Sequence, residues 1–124
     1  MIKVLVCEDS LLILSLIEKS LRGIEAMELK LIPDLVGLIS AAESGIVFDL
    51  IFFDGFLAGD DTTSPFVLNL AEEKYPHLKG TKIFLMSTDE QTRVSQKECL
   101  APREVFFCKK KEVAGIIRRA LAGS

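Results

Sequence analysis

The stretch VFDLIFF, residues Val47–Phe53, runs straight into Asp54 and Gly55. Apart from Asp49 it is continuously apolar. A strand with one wet face would alternate polar and apolar residues, so this pattern predicts a strand covered on both faces, as in a parallel sheet. Working outward, IKVLVC (Ile2–Cys7) is short and β-branched and reads as the first strand. Ser10 caps a helix through Leu21, with Leu11, Leu14, Ile17 and Leu21 on one stripe. Glu28–Ile32 is the second strand, and its charges suit a sheet edge. Pro33 and Asp34 open a short helix that Gly45 closes. Downstream, Ser64-Pro65 starts a helix to about Tyr75, and Pro76 and Gly80 bracket a turn. Lys82–Met86 is the fourth strand. Asp89–Leu100 is a helix with a thin apolar face of Val94 and Leu100. Val105–Cys108 is the fifth strand, and a last helix from about Lys111 buries Val113, Ile116, Ile117, Ala120 and Leu121. Five βα units in one domain, 1–124, predict an α/β fold with a doubly wound parallel sheet.

The 124 residues carry a net charge of −3, with 49% apolar and 27% charged residues, ordinary for a globular chain. That balance speaks against a dedicated nucleic-acid binder. Cys7, Cys99 and Cys108 form neither a CxxC pair nor a metal-ligand spacing, which suits a reducing compartment. Glu8 and Asp9 interrupt the first apolar run, making it a poor signal peptide. Leu11–Ile17 is far below the ~20 apolar residues that a membrane span needs. The expectation is a cytoplasmic protein without membrane contact.

In an open parallel sheet, ligands bind beyond the carboxyl ends of the strands. There the first strand ends in Glu8 and Asp9, the third in Asp54, the fourth in Ser87 and Thr88, and the fifth in Lys109. Any one of these could simply begin a solvated loop. Together, three carboxylates would repel one another unless a cation held them. Oxygen donors without histidine suit a hard ion, Mg²⁺ first. Acids facing an ammonium and a hydroxyl also match the needs of a transferring phosphoryl group.

In order and spacing, Glu8-Asp9-Ser10 after the first strand, DLIFFDG (49–55), KIFLMST (82–88) and VFFCKK (105–110) resemble the signature of two-component response-regulator receiver domains, the CheY-like superfamily. The resemblance covers the whole chain. It implies a flavodoxin-like sheet of order 2-1-3-4-5 flanked by five helices. It also implies that Asp54 is the phosphoacceptor and that Glu8 and Asp9 hold Mg²⁺ with Asp54 and the backbone carbonyl of Phe56. Ser87 becomes the switch hydroxyl, Lys109 the lysine that pairs with phosphate oxygens, and Phe106 the aromatic residue that turns inward on activation. Thr88 would narrow access to Asp54.

The implied function is a phosphorylation-dependent signalling switch. The donor would be a sensor histidine kinase or histidine phosphotransfer protein. The output would be a changed face of the fourth helix, fifth strand and last helix, which controls a downstream target protein or a dimer. No independent enzyme is expected beyond Mg²⁺-dependent help with its own aspartyl phosphorylation and dephosphorylation. The chain departs from the family at three places. Lys110 stands where a proline usually follows the lysine. The loop GFLAGDDTTS (55–64) lacks the usual Met-Pro pair and adds Asp60 and Asp61, read as solvated. Thr88 replaces a smaller residue. These departures keep an alternative open, a receiver-like adaptor that binds partners without phosphorylation. A phosphohydrolase fits less well, because Phe56 stands where its second acid belongs. His77, the single histidine, lies in a turn and is assigned no role. Lys109–Lys111, Arg118 and Arg119 read as a solvated helix face, with no direct nucleic-acid contact.

Overall fold

The structure, a computed structural model, describes residues 1–54, 63–86 and 89–123, the side chains of 63–68 excepted. Its strands are β1 (Ile2–Cys7), β2 (Met27–Ile32), β3 (Leu50–Phe53), β4 (Lys82–Leu85) and β5 (Phe106–Phe107). Its helices are α1 (Leu11–Leu21), α2 (Leu35–Glu43), α3 (Thr63–Lys74), α4 (Glu90–Leu100) and α5 (Val113–Ala122). All four strand pairings are parallel and the order is β2-β1-β3-β4-β5, as expected.

Strand alternation sorts the interior into two layers. Leu5, Cys7, Ile51, Phe53, Ile83 and Leu85 face Leu38 and Ala41 of α2, Ala71 of α3 and Leu100 of α4. Val4, Val6, Leu50, Phe52 and Phe84 face Leu14, Ile17 and Leu21 of α1 and Val113 and Ile117 of α5. All four residues of β3 are buried, which is why its sequence shows no alternation. Ser10, Asp34 and Asp89 cap α1, α2 and α4 by accepting the N–H groups of Ile13, Gly37 and Thr92 at 3.3, 2.8 and 2.9 Å. Gly23 and Gly45, at φ 88° and 75°, take the left-handed turns just beyond α1 and α2.

Several expectations needed correcting. β3 starts at Leu50, leaving Val47 exposed. Asp49 instead ties the strand starts together, its carboxylate accepting the Lys3 N–H and its own N–H donating to the Lys3 carbonyl, both at 2.8 Å. Leu11 points to solvent beside Leu12 and Leu16, so the buried stripe of α1 is Leu14, Ile17 and Leu21. On α4 the inward pair is Gln96 and Leu100, and Val94 is exposed. β5 shrinks to two residues, although the Cys108 N–H extends the ladder by bonding the Leu85 carbonyl at 3.0 Å. A 3₁₀ turn, Lys110–Glu112, precedes α5. No helix among the described residues is long and apolar enough to cross a membrane.

Away from the site, Arg103 ties three segments together. Its guanidinium pairs with the buried Glu72 carboxylate of α3 and donates to the carbonyls of Leu78, Lys79 and Thr81 at 3.2, 3.4 and 2.8 Å. Arg103→Ala leaves Glu72 a buried charge without its partner, so urea unfolding should show a loss of about 3 kcal/mol. A loss under about 0.5 kcal/mol, the usual effect of a surface change, would show the clamp to be inert.

Candidate functional site

Parallel pairing brings the carboxyl ends of β1, β3 and β5 to one edge. Backbone bonds fix the first two: the Glu8 N–H donates to the Ile32 carbonyl at 3.0 Å and the Asp54 N–H to the Cys7 carbonyl at 2.8 Å. Each of Glu8, Asp9 and Asp54 offers a carboxylate oxygen within 4.8 Å of those of the other two. Glu8 is fully buried, Asp54 is 3% exposed and Asp9 is open to solvent. One fully buried acid, one nearly buried acid and one exposed acid thus lie together at the sheet edge.

Lys110 offsets part of this charge. Its ammonium nitrogen lies 3.1 Å from Glu8 Oε1 and 3.0 Å from Oε2, and Oε1 also accepts the Ser10 N–H at 3.1 Å. The approach to Oε2 misses hydrogen-bond geometry, so that buried oxygen keeps bonding capacity in hand. Burial works against the Lys110 charge, but the Glu8 hydrogen bond and the charges of Asp54, Glu8 and Asp9 outweigh it and hold the ammonium above the usual lysine value. The hydrogen bond with Asp54 does most to hold Asp9 below the ordinary carboxylate range. Beneath them, burial first and the Asp54 charge second push the Cys7 thiol up, so it stays a neutral thiol.

The fit to Mg²⁺ can be judged from these donors. They are all oxygens, they converge, and buried Glu8 Oε2 still has capacity for a partner. That chemistry suits a small hard cation.

The structure therefore brings together Glu8, Asp9 and Asp54 but not Lys109. The Lys109 side chain is exposed, and Lys110 supplies the ammonium instead. Lys110, at the position where the family usually has proline, is the lysine seated against the acids. The two phenylalanines of β5 face opposite sides of the sheet. Phe106 lies on the α1–α5 side, its ring centroid 5.4 Å from that of Phe84 with Lys82 Nζ 4.5 Å above it. The β5 residue facing the α4 side is Phe107, whose ring lies 5.3 Å from the Arg93 guanidinium carbon. Phe106 therefore faces away from α4. Ser87, Thr88 and the Phe56 carbonyl lie outside the described residues, as do Asp60 and Asp61.

Solved structures share this arrangement of strands and helices. Chemotaxis protein CheY4 of Vibrio cholerae is similar over 96% of this chain and 98% of its own, at a TM-score of 0.72 and 18% identity. The non-phosphorylated receiver domain of the Escherichia coli stress response regulator RcsB is similar over 98% of this chain and 90% of its own, at 0.70 and 18%. This chain has the CheY-like receiver fold. The receiver fold makes up part of some longer chains: this protein spans 58% of the length of a Salmonella typhimurium RcsB response regulator, at a TM-score of 0.68 and 18% identity. No protein-family model and no curated protein sequence matches the chain. At these identities the likeness speaks for the receiver fold, and the chemistry rests on the residues at its sheet edge.

Proposed function

We propose that this chain is a phosphorylation-dependent signalling switch that accepts a phosphoryl group on Asp54. One observation supports the reading above all: three acids from two strand ends lie together, with a lysine from a third strand end paired to one of them. An Asp54 carboxylate oxygen attacks phosphorus in line. The bond from phosphorus to the donor's nitrogen or oxygen breaks, and its electron pair leaves with the donor. An aspartyl phosphate remains. Asp9 and Asp54, with Glu8 and the backbone carbonyl of Phe56, would hold Mg²⁺. When bound, the ion offsets negative charge on the phosphoryl oxygens. Lys110 would share that task by turning from Glu8 toward the phosphoryl group.

A protein donor, a sensor histidine kinase or phosphotransfer protein, also suits the surroundings. Leu11, Leu12 and Leu16 of α1 are exposed apolar side chains. A groove of about 270 Å³ between α1 and α5 carries Lys110 and Lys111 at its rim. Output would pass through Ser87 and the loop after β4 to α4, β5 and α5, where a downstream target binds. Phe107 against Arg93 is the aromatic contact placed to report that movement, a population shift between two packings.

The test is acetyl phosphate treatment followed by intact-mass and peptide analysis. Expected is a gain of one phosphoryl group at Asp54, dependent on Mg²⁺ and lost on chelation. An unchanged mass, together with unchanged partner binding in beryllofluoride, would favour the adaptor that works without phosphorylation.

A further inference from the structure

Three lysines follow β5 in succession, and side-chain chemistry cannot decide which one serves the acids. The decision lies in the phase of the turn. The Cys108 N–H, held by the Leu85 carbonyl at 3.0 Å, pins the end of the strand. Lys109 then continues extended, at φ −86° and ψ 152°. Glu112 grips this residue twice: its N–H donates to the Lys109 carbonyl at 2.9 Å, and its carboxylate Oε1 accepts the Lys109 N–H at 2.7 Å. The next residue, Val113, is fully buried and starts α5. With both polar groups of the Lys109 backbone held, its side chain stays in solvent. Lys110, the first residue of the 3₁₀ turn, is carried over Glu8. A proline at position 110 would preset such a turn through its fixed φ. Here a charge-assisted hydrogen bond does so instead.

The geometry points to Glu112 as a positioning residue, whose carboxylate holds the Lys109 main chain and so selects Lys110 as the ammonium of the acidic pocket. This rests on the reading of Asp54 and Lys110 given above. It adds that the lysine's identity is set three residues away from the site, through the backbone. The Glu112–Lys109 bond is exposed. Its removal should leave the chain folded while letting the turn slip, so that Lys109 or Lys111 competes for the pocket.

Two readouts test this. The first is trace acylation of lysine amines with acetic anhydride, read by peptide mass spectrometry with neither metal nor phosphoryl donor present. In the native protein Lys110 should react more slowly than Lys109 and Lys111. In Glu112→Ala that difference should collapse, and in Glu112→Gln, which keeps an acceptor oxygen, it should return. If Glu112→Ala fails to fold, Glu112→Met, which keeps the bulk without the acceptor oxygen, takes its place with the same expected collapse. Full protection of Lys110 in Glu112→Ala would overturn the inference. The second readout is the rate of Asp54 phosphorylation by acetyl phosphate. Glu112→Ala should slow it about fivefold, the population shift that one hydrogen bond sustains, and should cause no further loss in a Lys110→Ala background. An equal loss in both backgrounds would mark Glu112 as merely structural and defeat the inference. A normal rate in Lys110→Ala alone would defeat the reading of the site, and the acylation pattern separates that failure from a failure of the clamp.

Discussion

Replacing Asp54 with asparagine should bring phosphoryl uptake from acetyl phosphate below detection, with the fold intact. The carboxamide fills the same volume and can accept hydrogen bonds, but its oxygen carries no charge to attack phosphorus. Glu8 is not placed to take over, because it is fully buried against Lys110. Removing one of three crowded carboxylates also relieves repulsion. Urea unfolding should therefore show the variant as stable as the native chain or slightly more so. Mg²⁺-dependent labelling that survives in Asp54→Asn would move the acceptor elsewhere.

The second large effect separates two adjacent lysines. Lys110→Ala should slow phosphorylation about 100-fold, the usual cost of losing one charge-stabilising group in a recessed site. It also strands the fully buried Glu8. Discounted for the partial exposure of the ammonium, this should cost about 2 kcal/mol of stability. Lys109→Ala removes an exposed side chain, and its effect should stay within about 0.5 kcal/mol and leave the rate nearly unchanged. The pair of rates is read from the same acetyl phosphate time course. The opposite ranking would restore Lys109 to the site.

The contrast between these two lysines shows what sequence could and could not reveal. The fold was legible because burial leaves a compositional mark: LIFF has no alternation, and Ser10, Asp34 and Asp89 cap their helices. The acids were legible too, since Glu8, Asp9 and Asp54 directly follow strands whose ends are unmistakable. β5 is different. Phe106 and Phe107 are the same residue type, as are Lys109, Lys110 and Lys111, so a shift of one leaves the pattern unchanged while it turns every side chain to the other face. A two-residue strand has its register set by outside contacts, here Cys108 on Leu85 and Glu112 on Lys109. The one available signal was Glu112 itself, an acid three residues beyond Lys109 at the spacing of a capping turn. Leu11 and Val94 went astray for a related reason: an apolar residue at the edge of a helical stripe can face either way, and packing decides.

The pocket itself is open to direct measurement by a crystal structure of the protein with Mg²⁺ and beryllofluoride. Expected is beryllofluoride bonded to an Asp54 carboxylate oxygen, the metal on Asp9 and Asp54, and the Lys110 ammonium drawn from Glu8 onto a fluorine. Beryllofluoride absent from Asp54 in crystals that carry it elsewhere, or Lys110 still seated on Glu8 with Lys109 at the fluorine, would contradict the proposed chemistry.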